Sequence, residues 1–277
     1  MAAGRLKIFR AACVQINAGR DWKRNFDFSL RQVFRALKKK VHGIAFPENF
    51  LWRGPAEQMP EIARTVPQEV IPVFQELARE HRVSFLLGSL ILPVQSSRKY
   101  ASTSILISES GKIAASYQKI HLFDISLKGL KGRESEHFLH GRRVVSGVSF
   151  GVRWGLSICY DLRFPELYRS LSLQNCQILC VPANFTYRTG KVHWETLLRA
   201  RAIENQCFVV APAQCGVHPG SKIRSFGHSM VIDAWGNVLG RLDGKAEGIL
   251  IADLDLEVQK KLSREFPVLE HRRLRLI

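Results

Sequence analysis

The sequence predicts an α/β fold of mixed sheets with helices outside them. Three observations carry this. Apolar runs of strand length alternate with stretches of helical period. Two pairs of β-rich runs flank short turn segments and read as hairpins, so the sheets are mixed rather than all parallel. Gly and Pro are scattered, and no linker, low-complexity segment or repeat interrupts the 277 residues, which read as one domain, 1–277.

The elements follow in order. Residues 6–16 form a β-rich run. In 25–41, Leu30, Val33, Phe34, Leu37 and Val41 recur at helical spacing, with Arg31, Arg35 and Lys38 on the other side. Residues 41–46 are a short buried strand. Val70, Val73, Phe74 and Leu77 mark a helix over 69–82, and 83–92 is a strand. Residues 103–108 and 112–117 flank Glu109-Ser110-Gly111 as a hairpin. Residues 152–159 are a strand, and 165–173 a helix opened by a proline in its first turn. Residues 177–181, 192–205 and 207–211 read as strand, helix and strand. A second hairpin joins 228–233 and 236–242 around Ala234-Trp235-Gly236. The last strand is 248–254, followed by a charged helix from Asp255 to about 264.

Composition excludes several classes. With 46% hydrophobic and 23% charged residues the chain is not a disordered one. Its 41 basic and 24 acidic residues give a net charge of +17, which invites a nucleic-acid or other polyanion partner. The excess is diffuse. Residues 1–60 hold 12 basic against 4 acidic side chains, and no like-charge block exceeds Lys38-Lys39-Lys40. That triplet reads as a solvated helix end. No aromatic residues interleave with a basic run, so a single-strand binder is disfavoured. The six cysteines fit no zinc spacing, and several sit in apolar runs as reduced core thiols do. No apolar stretch is a membrane span, the N-terminus has no signal-peptide core, and no Gly-rich phosphate loop follows a strand. The expectation is a cytoplasmic protein without cofactor, metal, membrane or nucleic-acid partner.

One cysteine stands apart. Cys159 ends a strand and precedes a sharp turn and a helix, where a nucleophile is exposed and its thiolate favoured. Taken alone, a buried structural cysteine would look the same. Phe46-Pro47-Glu48-Asn49 puts a carboxylate just after a buried strand, and Lys119 follows the first hairpin. Strand ends are where distant segments meet at one mouth of a sheet. A thiol, a carboxylate and an ammonium suffice to hydrolyse a carbon–nitrogen bond. The ammonium lowers the thiol pKa and stabilises oxyanion charge, and the carboxylate moves the proton.

On these residues the chain resembles the nitrilase superfamily of carbon–nitrogen hydrolases, from about residue 6 to 273. The resemblance implies a four-layer α-β-β-α sandwich with two mixed sheets. It implies a Glu–Lys–Cys triad at Glu48, Lys119 and Cys159, with a second glutamate, Glu134, positioning the lysine and substrate. The run from Cys159 to Leu167 is similar to the amidase branch that holds the omega-amidases and deaminated-glutathione amidases. So are His193-Trp194-Glu195, residues 198–206, 227–233 and 266–273. The chain departs from the latter group at Lys191-Val192. Stretches 50–54 and 216–224, near where specificity is expected, are not decisive.

The resulting expectation is a cofactor-free amidase. It releases ammonia from the carboxamide of a small, carboxylate-bearing acid through a Cys159 thioester. An omega-amidase or an N-carbamoyl hydrolase is the alternative within the superfamily, and a basic polyanion- or nucleic-acid-binding protein the alternative outside it. The backbone N–H of Tyr160 is expected as an oxyanion donor, and Asn184 and Phe185 either line the pocket or form an ordinary loop. Arg163 and Glu166 either bind an anionic substrate or form a buried ion pair. His193 is expected to make a structural hydrogen bond, and Arg199, Arg201 and Glu204 to pack and pair. The family resemblance also implies a homodimer or higher homo-oligomer.

Overall fold

Long apolar runs become the middle strands of two six-stranded sheets in the computed structural model, which describes residues 6–127, 130–218, 220 and 223–274. The first half runs β1 (Ile8–Gln15), α1 (Trp22–Leu37), β2 (Gly43–Ala45), α2 (Met59–His81), β3 (Ser84–Pro93), β4 (Tyr100–Ile107) and β5 (Ile113–Gln118). A hairpin of β6 (Asp124–Leu127) and β7 (Leu130–Arg133) and then β8 (Ser146–Ser149) follow. The second half runs β9 (Val152–Leu156), α3 (Pro165–Leu173), β10 (Ile178–Cys180), α4 (Tyr187–Asn205), β11 (Phe208–Ala211), β12 (Met230–Ile232) and β13 (Val238–Arg241). β14 (Gly248–Asp255) and α5 (Leu256–Glu265) close the chain of elements.

The sheets are mixed, as expected. One has the order β14-β1-β2-β3-β4-β5 and the other β13-β12-β11-β10-β9-β8. β1, β2 and β3 are parallel, as are β9, β10 and β11, and the outer pairings are antiparallel. The sequence shows no repeat, yet the two halves share one plan: strand, helix, strand, helix, then three strands. Backbone topology is repeated here without repetition of side chains.

The layers follow from which faces are apolar. Phe9, Ala11, Cys13 and Tyr117 of one sheet meet Trp154, Leu156 and Val231 of the other in a continuous core. α1 and α2 cover the outer face of the first sheet through Phe28, Val33, Val70 and Phe74. α4 covers the second through Trp194 and Leu198. The result is the α-β-β-α sandwich. Strands buried on both faces explain near-continuous apolar runs such as Phe85-Leu86-Leu87.

Several boundaries differ from the sequence expectation. α2 begins at Met59 rather than 69 and runs through Pro67 and Pro72. Each proline removes a helix hydrogen bond. The buried stripe Ile62, Val66, Val70, Phe74 and Leu77 outweighs that loss. α4 starts at Tyr187 rather than 192, because the Thr186 side chain caps it by accepting from the Thr189 N–H. β6, β7 and β8 were not expected. The strand expected over 152–159 stops at Leu156, and a 3-10 turn, Cys159–Arg163, takes its place.

Candidate active site

Parallel strands bring their carboxyl ends to one mouth, and three segments leaving strand ends converge there. Glu48 leaves β2, Lys119 leaves β5 and Cys159 follows β9. All three line one cavity of about 250 Å³, together with Glu134, Tyr160, Asn184 and Phe185. Every site residue expected from sequence therefore reaches the same space.

The charged cluster is nearly dry. Lys119 is 1% exposed and Glu48 4%. Lys119 Nζ donates to Glu48 Oε1 at 2.8 Å and to Glu134 Oε1 and Oε2 at 2.9 and 2.8 Å. Burial opposes the lysine charge, but Glu134 and Glu48 outweigh it and hold the ammonium well above its usual pKa. Glu134 sits on a short 3-10 turn after β7 and also accepts from the Phe123 N–H at 2.7 Å. Burial raises the Glu134 pKa, opposed by Lys119 and reinforced by Glu48.

Cys159 is held in the left-handed region, at φ 50°. A non-glycine residue there is strained and persists only when its surroundings fix it. Its N–H donates to the Pro182 carbonyl at 2.9 Å. The Asn184 backbone N–H faces its sulfur and favours the thiolate, a contact the sequence reading did not foresee. Burial pushes the thiol well above its ordinary pKa, and the Glu48 carboxylate adds to this, while Lys119 pulls the other way. The lysine lowers the thiol as expected, but burial and Glu48 outweigh it, and the net shift is upward. The surroundings of the resting thiol favour its protonated form.

The remaining candidates divide. The Tyr160 ring packs against Phe123 and Phe164, with centroids 5.1 and 5.5 Å away. Asn184 Oδ1 accepts from Ser225 Oγ at 2.6 Å. Phe185 is buried against Trp194. The Arg163 guanidinium lies over the Tyr160 and Phe185 rings, and Nη1 meets His193 Nδ1 at 3.2 Å. Arg163 lines the cavity, whereas Glu166 is exposed on α3, so the two form no buried ion pair. Arg201 pairs with Glu204 at 2.8 Å and also grips the Leu162 carbonyl, steadying the turn after Cys159.

Three positioning residues escaped the sequence reading. Asp161, fully buried, accepts from Tyr117 Oη (2.7 Å), Ile158 N (2.8 Å), His121 N (3.0 Å) and His121 Nδ1 (2.7 Å), with the ring nitrogen taken as the protonated partner. It ties the segment carrying Lys119 to the turn carrying Cys159. Gln214, also buried, donates to the carbonyls of Glu48 and Asn49 at 2.9 and 3.0 Å. Gly88 lies beneath the Glu48 loop, where a Cβ would overlap the Phe46 carbonyl oxygen. An acid two residues past Cys159 and a lone glycine inside an apolar strand run were the available signals for Asp161 and Gly88. Among the described residues no group of three or more His, Cys, Asp or Glu side chains could hold a metal ion. None of their helices is long and apolar enough to cross a membrane.

The carbon–nitrogen hydrolase family model matches residues 10–263, and the chain belongs to that family. Among individual relatives, the chain is 37% identical over 272 residues to the deaminated glutathione amidase of Synechocystis, covering 96% of this chain and 99% of that protein. It is 39% identical over 278 residues to the nitrilase and fragile histidine triad fusion protein NitFhit of Caenorhabditis elegans. There it covers 99% of this chain but only 62% of the longer protein. The crystal structure of C. elegans NitFhit superposes with a TM-score of 0.90 at 37% identity, over 96% of this chain and 65% of that one.

Proposed function

We propose that the chain is a cofactor-free amidase acting on a small, carboxylate-bearing acid amide of the deaminated-glutathione kind, as a single hydrolase domain. The observation that carries this is the buried Glu48–Lys119–Glu134 cluster facing strained Cys159 in one cavity. The names of the Synechocystis protein and its counterparts support the substrate class. Arg163 supports the carboxylate, since it lines the cavity and no carboxylate lies within 4 Å of it among the described residues.

The chemistry follows from the placement of these groups. Glu48 takes the Cys159 proton as sulfur attacks the amide carbon. Lys119 and the Tyr160 N–H hold the oxyanion, and Lys119 stays protonated because two carboxylates face it. Glu48 returns the proton to the leaving nitrogen, and ammonia departs, leaving a thioester. Glu48 then takes a proton from water, hydroxide oxygen adds to the acyl carbon, and the thiol reforms as the acid leaves. Glu134 holds Lys119 in place throughout.

The test is a panel of deaminated glutathione, omega-amide keto acids and N-carbamoyl compounds, read by ammonia release, with mass spectrometry for an acyl adduct on Cys159. Turnover retained by Cys159→Ala would sink the mechanism. Preference for another panel member would move the substrate but keep the triad. The cysteines described as free and buried, all six, fit a reducing, cytoplasmic setting. Exposed Val192 and Ile203 on α4 and Trp235 beyond β12 fit self-association, which light scattering would detect as a mass above 31.4 kDa.

A further inference from the structure

Arg53 lies on the loop that carries Glu48, five residues on, and is 2% exposed. Among the described residues its guanidinium is held by neutral oxygens alone. Nε donates to the Ala18 carbonyl at 2.8 Å, and Nη2 to Asn17 Oδ1 at 2.6 Å. Nη1 donates to Ser225 Oγ at 2.8 Å and Asn184 Oδ1 at 3.5 Å. No carboxylate lies within 4 Å of it among the described residues. A buried charge without a counter-charge is costly to fold, so its retention asks for a reason.

The cavity supplies one. Two of the acceptors, Asn184 and Ser225, line it, so the charge lies one hydrogen bond behind the wall. At the cavity base two carboxylates, Glu48 and Glu134, face one ammonium, Lys119. Taken by itself that cluster carries more acid than base and works against an acyl group that brings its own carboxylate, a bias that Arg163 in the cavity wall offsets only from one side. We propose that Arg53 adds to Arg163 in setting the charge preference of the site: from behind the wall its buried guanidinium offsets this repulsion and favours acyl groups bearing a carboxylate over neutral ones of equal size. The proposal rests on the amidase reading and deepens it. Burial pushes Arg53 down only to about 10, so it remains charged at neutral pH. A purely structural role, tying the loops after β1, β2 and β10 together, predicts equal losses on every amide.

The experiment compares kcat/KM for succinamate and for levulinamide, in which a methyl ketone replaces the carboxylate. The wild-type protein is expected to prefer succinamate. Because the charge is buried, that ratio should hold between low and about half-molar salt, where surface charges are screened. Arg53→Met should lower the ratio about tenfold, which is about 1.4 kcal/mol, chiefly through KM for succinamate. Arg53→Lys, which keeps a charge, should retain most of it. Equal loss on both amides in Arg53→Met, or a wild-type preference that vanishes with salt, overturns the proposal. Should Arg53→Met fail to fold, the salt series and Arg53→Lys decide. Turnover of both amides without preference refutes this proposal alone, and turnover of neither refutes the amidase reading with it.

Discussion

Asp161→Asn is the sharpest probe of how the site is held. The side chain keeps its shape but exchanges one acceptor oxygen for an NH2 group. Four donors converge on the native carboxylate at 2.7 to 3.0 Å, with no access to water. If the amide oxygen keeps the His121 pair, the NH2 group faces Tyr117 Oη and the Ile158 N–H. Tyr117 can turn its hydroxyl to accept; a backbone N–H cannot. One buried donor is left unpaired, at about 1–3 kcal/mol, and the surviving bonds lose their charge assistance, for a total of about 3 kcal/mol. The opposite amide rotamer sets the NH2 group against both His121 donors and is no better. Ile158 immediately precedes Cys159, whose φ of 50° depends on its surroundings. Misplacing the sulfur by about 1 Å should lower kcat roughly 100-fold. Urea unfolding would give the stability loss, and single-turnover acylation of Cys159 the kinetic one. A variant within about 0.5 kcal/mol of wild type, acylating at an unchanged rate, would refute the reasoning.

Two further outcomes follow from the same geometry. Gly88→Ala should lower stability and turnover together, because its Cβ meets the carbonyls of Phe46 and Pro47 and displaces Glu48. A crystal structure with Glu48 unmoved would contradict this. The free enzyme should show no thiolate absorbance from Cys159 at neutral pH, because burial and Glu48 favour the protonated thiol. Raising the pKa moves ionisation upward in pH, so an ultraviolet titration of wild type minus Cys159→Ser that rises below about pH 8 would refute it.

What the sequence made legible is what acts locally. Period and turn chemistry located most strands, and both bounds of α3 agree because Pro165 opens it. The proposed triad positions were legible because each follows a strand end and matches the family resemblance. Interactions across the sandwich were not. Asp161 meets His121 forty residues away, and Gln214 reaches Glu48 across 166. Neither distance leaves a mark on local pattern. Nor did sequence fix the sign of the Cys159 shift: Lys119 and Glu48 oppose each other there, and burial, invisible in one dimension, decides it. The N-terminal excess of basic residues was legible, but its bearing was not. Arg53 is one cation among many in the sequence and differs only in being buried without an acid.

The repeated topology accounts for the division of labour around the sulfur. β2 and β10 are matching strands of the two halves, so Glu48 and Asn184 leave corresponding ends from different sheets. One segment brings a carboxylate to Cys159, and the other brings a backbone N–H. A second carboxylate at the matching place would add another negative charge against a single lysine and push the thiol higher still. An uncharged donor instead favours the thiolate without competing for Lys119. The same asymmetry lets the cluster stay net negative by one charge rather than two, which is the imbalance a cation in the wall can offset. Two corresponding strand ends meeting at one mouth thus offer Cys159 different chemistry.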